Sequence, residues 1–261
     1  MTRAEALAAL AWQVEAGADE AIEDAAINWL AAPPLAEDAG AAVPAAPAAN
    51  KPTPPPLLTP TMAAGASDAA SIAAGCNSVE ELRAAIAAFD GCALKATATR
   101  MVFADGNPDA PLMIIGEAPG REEDLTGLPF VGAAGKLLDR MLAAIGRDRK
   151  ASYISNIVFW RPPGNRTPTP LETQACLPFV RRHIALTRPR VLLLLGGPAS
   201  AALMETTAGI TRLRGRWMRY EAEGASIDAL ATFHPAYLLR QPAQKGLAWR
   251  DFLSVAERLE G

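Results

Sequence analysis

Histidine is almost missing from this chain: two in 261 residues, His183 and His234. Cysteine is nearly as sparse. Cys76, Cys92 and Cys176 are odd in number and far apart, which suits a reducing compartment better than a disulfide framework. No run approaches the roughly 18–20 apolar residues of a membrane span; the longest, Pro111–Ile115 and Val191–Leu195, are strand-sized. No basic region leads into an apolar run at the N-terminus, so no secretory leader is expected, and a cytoplasmic location is. A basic excess of the kind nucleic-acid binders carry is also missing, with 25 Lys and Arg against 28 Asp and Glu.

That last absence is an average over two unlike parts. Residues 1–75 hold Arg3 and Lys51 against nine acids, a net of −7, and residues 76–261 therefore carry +4. A DNA partner is not excluded for the second part.

The first part divides again. Residues 4–30 are rich in Ala, Glu and Leu, with Leu7, Leu10, Ala11 and Val14 on one helical stripe. The helix is either an ornament of the folded domain or a docking element for a protein partner. Residues 32–75 contain nine of the 22 prolines among alanines, a composition that reads as a flexible linker. The expected organisation is a helical segment over 1–31, a linker over 32–75 and a catalytic domain over 76–261.

From Val79 onward helices and strands alternate. Helices are expected at Glu80–Phe89, Lys136–Ile145, Thr169–Thr187, after Gly197 through Met204, and at Leu247–Leu259. Thr169, Pro170 and Glu172 form a capping-box start, and Pro178 should kink that helix. Strands are expected at Pro111–Ile115, Ser152–Val158, Val191–Leu195 and Ser226–Thr232. Fully apolar strands between helices argue for a parallel sheet covered on both faces, with chemistry at the carboxyl ends of the strands.

The loops at those ends hold the candidates. After the first strand comes Gly116-Glu117-Ala118-Pro119-Gly120, with Glu117 either a working carboxylate or a solvated one. Phe130, in Gly127-Leu128-Pro129-Phe130-Val131-Gly132, is a core plug or a stacking platform. The following Gly132–Lys136 is no phosphate loop, because Phe130 and Leu137 stand where that motif needs Gly and Ser or Thr. Asn156 can read an amide edge with one donor and one acceptor. Arg161-Pro162-Pro163-Gly164-Asn165-Arg166 is rigid and basic, suited to a phosphate backbone or simply a surface loop. His234 follows the fourth strand and leads into Pro235-Ala236-Tyr237-Leu238-Leu239-Arg240, either a wedge for unstacked DNA or a buried helix start.

Together these motifs resemble the family 4 uracil-DNA glycosylases of the uracil-DNA glycosylase superfamily, over about Leu82 to Phe252. The resemblance implies a three-layer α/β/α sandwich with a mostly parallel, four-stranded central sheet. It implies excision of uracil from DNA, with uracil-containing DNA as partner and a nucleoid-associated cytoplasmic location; a monomer is the default expectation. By position, Phe130 would stack on the extruded uracil and Asn156 would hydrogen-bond its polar edge. His234 would donate to its O2. Glu117 and the backbone of Gly116, Ala118, Pro119 and Gly120 would hold the attacking water or stabilise the cationic sugar. Arg161, Asn165, Arg166 and Tyr237, Leu238, Leu239, Arg240 would meet the DNA.

The resemblance also implies a [4Fe–4S] cluster on four cysteines. Only Cys92 and Cys176 match; Phe89 and Leu192 occupy the other two positions, and Cys76 lies 13 residues before Phe89. Such clusters want four thiolates, so no cluster is expected. A related branch traps DNA through a histidine in an inserted basic loop; no insertion follows Arg166, and Ala118 stands where that branch has glutamine. Two alternatives remain. One is a weak or inactive DNA-binding relative acting as a repair accessory. The other is a nucleotide-binding module using Gly196-Gly197, which lacks the G-x-G-x-x-G spacing.

Overall fold

The computed structural model describes the backbone of residues 62–261 and the side chains from Asp68 onward. The helix expected over residues 4–30 and most of the linker lie outside the described residues. Residues 62–75, assigned above to the linker, instead form helix α1 (Met62–Gly75). Ala69 and Ala73 are buried in the same core cluster as Ala175, Phe179 and Val180. Alanine has the highest helix propensity and a methyl small enough to let helices approach closely, and this overrides the low hydrophobicity that suggested a linker.

The sheet runs in the order β1-β3-β2-β4-β6-β5. Its four middle strands are β2 (Leu112–Gly116), β3 (Tyr153–Asn156), β4 (Val191–Leu195) and β6 (Ala225–Thr232), all mutually parallel. They are the four strands expected, within a few residues. Two antiparallel edges raise the count to six: β1 (Ala104–Gly106) against β3, and β5 (Trp217–Ala222) against β6. β1 is three residues long and has no hydrophobic signature. β5 alternates apolar and polar residues and turns into β6 at Glu223-Gly224, both with positive φ, the backbone of a tight hairpin.

Successive residues of a strand face opposite ways, and the two cores follow that period. Met113, Ile115, Leu192 and Leu194 pack with Phe179, Val180 and Ile184. Leu112, Ile114, Leu193 and Leu195 pack with Leu138, Leu142, Phe252 and Val255. The first face is covered by α2 (Val79–Ala88) and α5 (Pro170–Thr187), the second by α4 (Ala133–Ala143) and α9 (Lys245–Glu260). The capping box of α5 is present: Thr169 Oγ1 accepts from Glu172 N at 3.3 Å, and Thr169 N donates to Glu172 Oε2 at 2.7 Å. Helix α5 runs on through Pro178 to Thr187. Within it, His183 is fully buried, stacked on Phe103 and bonded to the Tyr153 hydroxyl at 2.9 Å. Burial pushes this imidazole down to about 3, so it is neutral and structural.

Candidate active site

The parallel register of β2 and β3 pairs Gly116 with Asn156. The ladder continues past the strand ends, where Ile157 N donates to Gly116 O at 2.9 Å. Asn156 is thereby held beside the loop Glu117–Gly120. A Cβ on Gly116 would lie 2.5 Å from both Asn156 Oδ1 and the Phe130 ring, so only glycine fits beneath these two side chains. His234 enters from the end of β6. Around these strand ends lies a cavity of about 420 Å³, lined by the Glu117–Gly120 loop, Phe130, Asn156 and His234, with Asn165–Thr167, Tyr237 and Arg240 also on its wall. Sequence reasoning placed Glu117, Asn156 and His234 at one sheet edge, and the structure brings them, with Phe130, to one cavity.

Each central residue has an environment suited to a single role. Asn156 is only 2% exposed, and its Oδ1 has no hydrogen-bond partner among the described residues. A buried carbonyl oxygen left unpaired costs about 1–3 kcal/mol, so this atom is suited to a ligand donor. His234 caps α8 (Pro235–Arg240), its Nδ1 accepting from Ala236 N at 3.1 Å. An Nδ1 that accepts carries no proton, so the proton of the neutral ring sits on Nε2. Burial first, then Arg240, pushes this imidazole down to about 4, with Glu123 pulling the other way. Burial pushes the Glu117 carboxyl up, partly offset by the Thr167 hydroxyl.

Phe130 is a core residue that also faces the cavity. It is 5% exposed and belongs to the core cluster with Ile114 and Leu138, yet it lines the cavity, its ring centroid 5.5 Å from that of His234. Its φ is +55°, a left-handed conformation that a bulky side chain rarely adopts.

Four further residues organise the site; Glu123, Arg149 and Asp251 were not singled out from sequence, and Gly196 was read there only as part of a nucleotide-binding alternative. Glu123, in α3 (Arg121–Thr126), accepts from Gly120 N at 3.1 Å, Val131 N at 2.8 Å and Gly132 N at 2.9 Å. One buried carboxylate thus joins the loop after β2 to the Phe130 loop. The spacing Gly120-x-x-Glu123 is a capping-type signal that could have marked it. Arg149 donates to the carbonyls of Pro129 and Phe130; no local motif announces it. Gly196, φ +92°, would place a Cβ 3.2 Å from His234 Cβ. Gly196 therefore makes room for the histidine, which leaves the nucleotide-binding alternative without support. Asp251, in α9, accepts from Thr232 Oγ1 at 2.7 Å and from Arg214, fixing the strand end two residues before His234.

At the rim, part of the basic character is already engaged. Arg166 makes a paired contact with Glu172 at 2.7 and 2.8 Å, which holds that carboxyl down at about 2. Arg161 donates to Asn165 Oδ1 at 2.6 Å. In α8 the expected wedge must be corrected. Leu238 is wholly buried with Phe233, Leu137 and Ala248, and anchors the helix. Leu239 is 40% exposed, Arg240 is exposed, and Tyr237 is half-buried beside Phe233. A one-turn helix must bury one face, and Leu238 occupies it.

The cysteine positions do not fit a four-thiolate cluster. Cys92 and Cys176 are buried neighbours, the Cys92 sulfur and burial together pushing the Cys176 thiol up. Phe89 packs edge-on against Phe179 at 5.0 Å, and Leu192 is buried within β4. A Cβ on Gly91 would meet the Phe89 ring at 2.3 Å. Cys76 is buried and donates to Ile72 O at 3.3 Å. Among the described residues, no group of three or more His, Cys, Asp or Glu side chains could hold a metal ion.

Comparison with known proteins agrees with the motifs. Residues 103–253 match the profile of the Uracil DNA glycosylase superfamily. The chain is 41% identical over 171 residues to the type-4 uracil-DNA glycosylase of Archaeoglobus fulgidus, covering 64% of this chain and 85% of that protein. It is 37% identical over 177 residues to that of Pyrobaculum aerophilum, covering 66% and 90%. With that of Sulfurisphaera tokodaii it shares 35% over 186 residues, covering 69% and 84%.

Proposed function

Because the chain belongs to the uracil DNA glycosylase superfamily, with type-4 enzymes among its relatives, we propose that it excises uracil from DNA by hydrolysing the N-glycosidic bond and leaves an abasic site. The observation that carries the assignment of roles is the unpartnered, buried Oδ1 of Asn156 in the cavity wall. Uracil offers an N3–H donor to that oxygen and O4 as acceptor for the Asn156 amide. Cytosine presents the reverse pattern and leaves the same atoms unpaired.

The geometry supports the following steps. An extruded uracil enters the cavity and stacks on Phe130, while Leu239 and Arg240 meet the duplex from which it came. The C1′–N1 bond breaks with its electron pair going to the base, leaving an oxocarbenium-like sugar and a uracil anion. The neutral His234 Nε2–H donates to O2 as the charge develops. Water adds to C1′ on the opposite side and gives its proton to Glu117, whose raised affinity for protons suits a general base. Arg161 and Asn165 act on the DNA backbone, and Arg166 does so only by sharing its charge with Glu172.

The test is a uracil-containing oligonucleotide incubated with the protein and then treated with alkali. Strand cleavage at the uracil is expected in single or double strands; none from folded protein would overturn the reading and favour the accessory role.

We also read the enzyme as cluster-free, on the grounds that its two matched thiols fall short of the four such a centre needs. Purified protein should contain less than one iron per chain, and prolonged chelation should leave both its melting temperature and its excision rate unchanged. Stoichiometric iron lost together with activity would reverse this.

The domain boundary follows α1 rather than composition. Removing residues 1–61 should leave excision intact and, by deleting eight of the nine acids before residue 76, strengthen non-specific DNA binding at low salt. Removing residues 1–75 takes α1 away, uncovers part of α5 and should lower the melting temperature. Equal stability of the two truncations would place α1 outside the domain. No helix among the described residues is long and apolar enough to cross a membrane. A cytoplasmic, nucleoid-associated monomer suits a DNA substrate, with residues 4–30 open to a protein partner.

A further inference from the structure

The peptide between Phe130 and Val131 is gripped at both ends by opposite charges. Its carbonyl accepts from the Arg149 guanidinium, and its N–H donates to Glu123 Oε1 at 2.8 Å. The grip extends one peptide each way. Arg149 Nη1 also donates to Pro129 O at 3.0 Å, and Glu123 Oε1 also accepts from Gly132 N at 2.9 Å. Between these contacts sits Phe130, a cavity side chain on a left-handed backbone at φ +55°. Such a conformation costs on the order of 1–3 kcal/mol and persists only where surroundings over-determine it.

The rest of the surroundings is built to hold Arg149 in place. Its Nε donates to Asp139 in α4 at 2.8 Å and its Nη1 to Asp105 in β1 at 2.6 Å. Gly106 lets β1 cross close to it: a Cβ there would lie 2.5 Å from Arg149 O. On the other side of the loop, a Cβ on Gly135 would stand 1.7 Å from Phe130 O, so this carbonyl lies hard against the start of α4. Two carboxylates thus hold the arginine whose other hydrogen bonds go to the carbonyls of Pro129 and Phe130, while Gly106 and Gly135 let the backbone of Arg149 and of Phe130 be closely approached. A cation serving only as a surface ion pair would not need those two carbonyls.

We propose that Arg149 is a positioning residue for excision: through the Pro129 and Phe130 carbonyls, and against Glu123, it holds the Phe130 ring where the extruded base must stack. The proposal rests on the reading of Phe130 as the stacking platform. Arg149 lines none of the base cavity and touches no reacting atom, so its effect on the reaction passes through Phe130.

A double-mutant cycle under single-turnover conditions tests this, with melting temperatures confirming that each variant is folded. Arg149→Met should slow excision about 10–100-fold while leaving affinity for uracil-free DNA within about twofold, a coupling in the range found for contacting residues. In a Phe130→Ala background the same substitution should cost less than about threefold, because nothing is left to position. A merely structural arginine would slow both backgrounds equally. Arg149→Lys keeps the charge but offers three donors from one point in place of a planar fork, and should fall between the wild type and Arg149→Met. If Arg149→Met does not fold, the cycle is run with Arg149→Lys and the same comparison decides. A full loss in both backgrounds, or no loss beside an impaired Phe130→Ala, overturns the proposal alone. A fully active Phe130→Ala overturns the stacking reading and the proposal with it.

Discussion

Exchange of Asn156 for aspartate should slow uracil excision by about a thousandfold or more, in an enzyme whose melting temperature falls only modestly. The size follows from burial. At 2% exposure the site gives no water access to satisfy a mismatched edge, and sites that hydrogen-bond a substrate group reject an analogue lacking it by 10⁴–10⁵-fold, roughly. Aspartate keeps an acceptor for N3–H but replaces the amide donor with a second acceptor facing uracil O4. That contact becomes a repulsion between lone pairs in a place of low dielectric. The same exchange offers the amino group of cytosine an acceptor it lacked, so the ratio of uracil to cytosine excision should narrow. Asn156→Leu, which removes both polar atoms, should lose uracil excision without gaining on cytosine. Single-turnover rates on oligonucleotides with one uracil or one cytosine measure all three cases. Uracil excision by Asn156→Asp within tenfold of the wild type would remove Asn156 from the site.

How much of this was readable in the chain depends on what carries each feature. The four parallel strands were legible because burial on both faces writes itself as an unbroken apolar run, as in Val191–Leu195. The helix starting at Pro170 was legible because its cap is local: Thr169 and Glu172 lie three residues apart. The edge strands were not, since β1 has three residues and β5 alternates like any exposed segment. Helix α1 was missed because alanine buries little surface, and its position against α5 is a tertiary fact.

The site divides the same way. Glu117 and His234 lie just past β2 and β6 and Asn156 ends β3, so their convergence is a consequence of parallel topology; Phe130 joins them only after α3, where Glu123 holds its loop. Arg149 reaches Phe130 across 19 residues and Asp105 across 44, separations that no local pattern encodes. The error at Leu238 has the opposite origin. Its neighbours Tyr237, Leu239 and Arg240 share the same short run, but one turn of helix sends the middle residue inward, and composition does not say which.

His234 gives the second large effect, and it is one on chemistry rather than on binding. Replacement by glutamine or alanine should slow the single-turnover step by about 10²–10³-fold, the loss typical of a single oxyanion-hole donor, with DNA affinity almost unchanged. The pH dependence separates this role from an acid that gives up its proton outright. Because Nδ1 accepts the Ala236 N–H, a second ring proton would set two donors against each other, and burial adds to the same bias, holding the imidazole at about 4 rather than 6.5. The sign is that of a histidine depressed on folding. Between 6.5 and about 4 the folded enzyme keeps a neutral ring while the unfolded chain takes up a proton. Stability therefore declines as pH falls through that window, whereas the catalytic form persists. The rate of the chemical step should accordingly show no inflection near 6.5. An acid limb at lower pH that vanishes in Glu117→Gln belongs to the carboxylate, and what remains below it belongs to His234. An inflection at 6.5 that disappears in His234→Gln would mean that the working form is the imidazolium, and the hydrogen bond from Ala236 would then have to break in the reactive state.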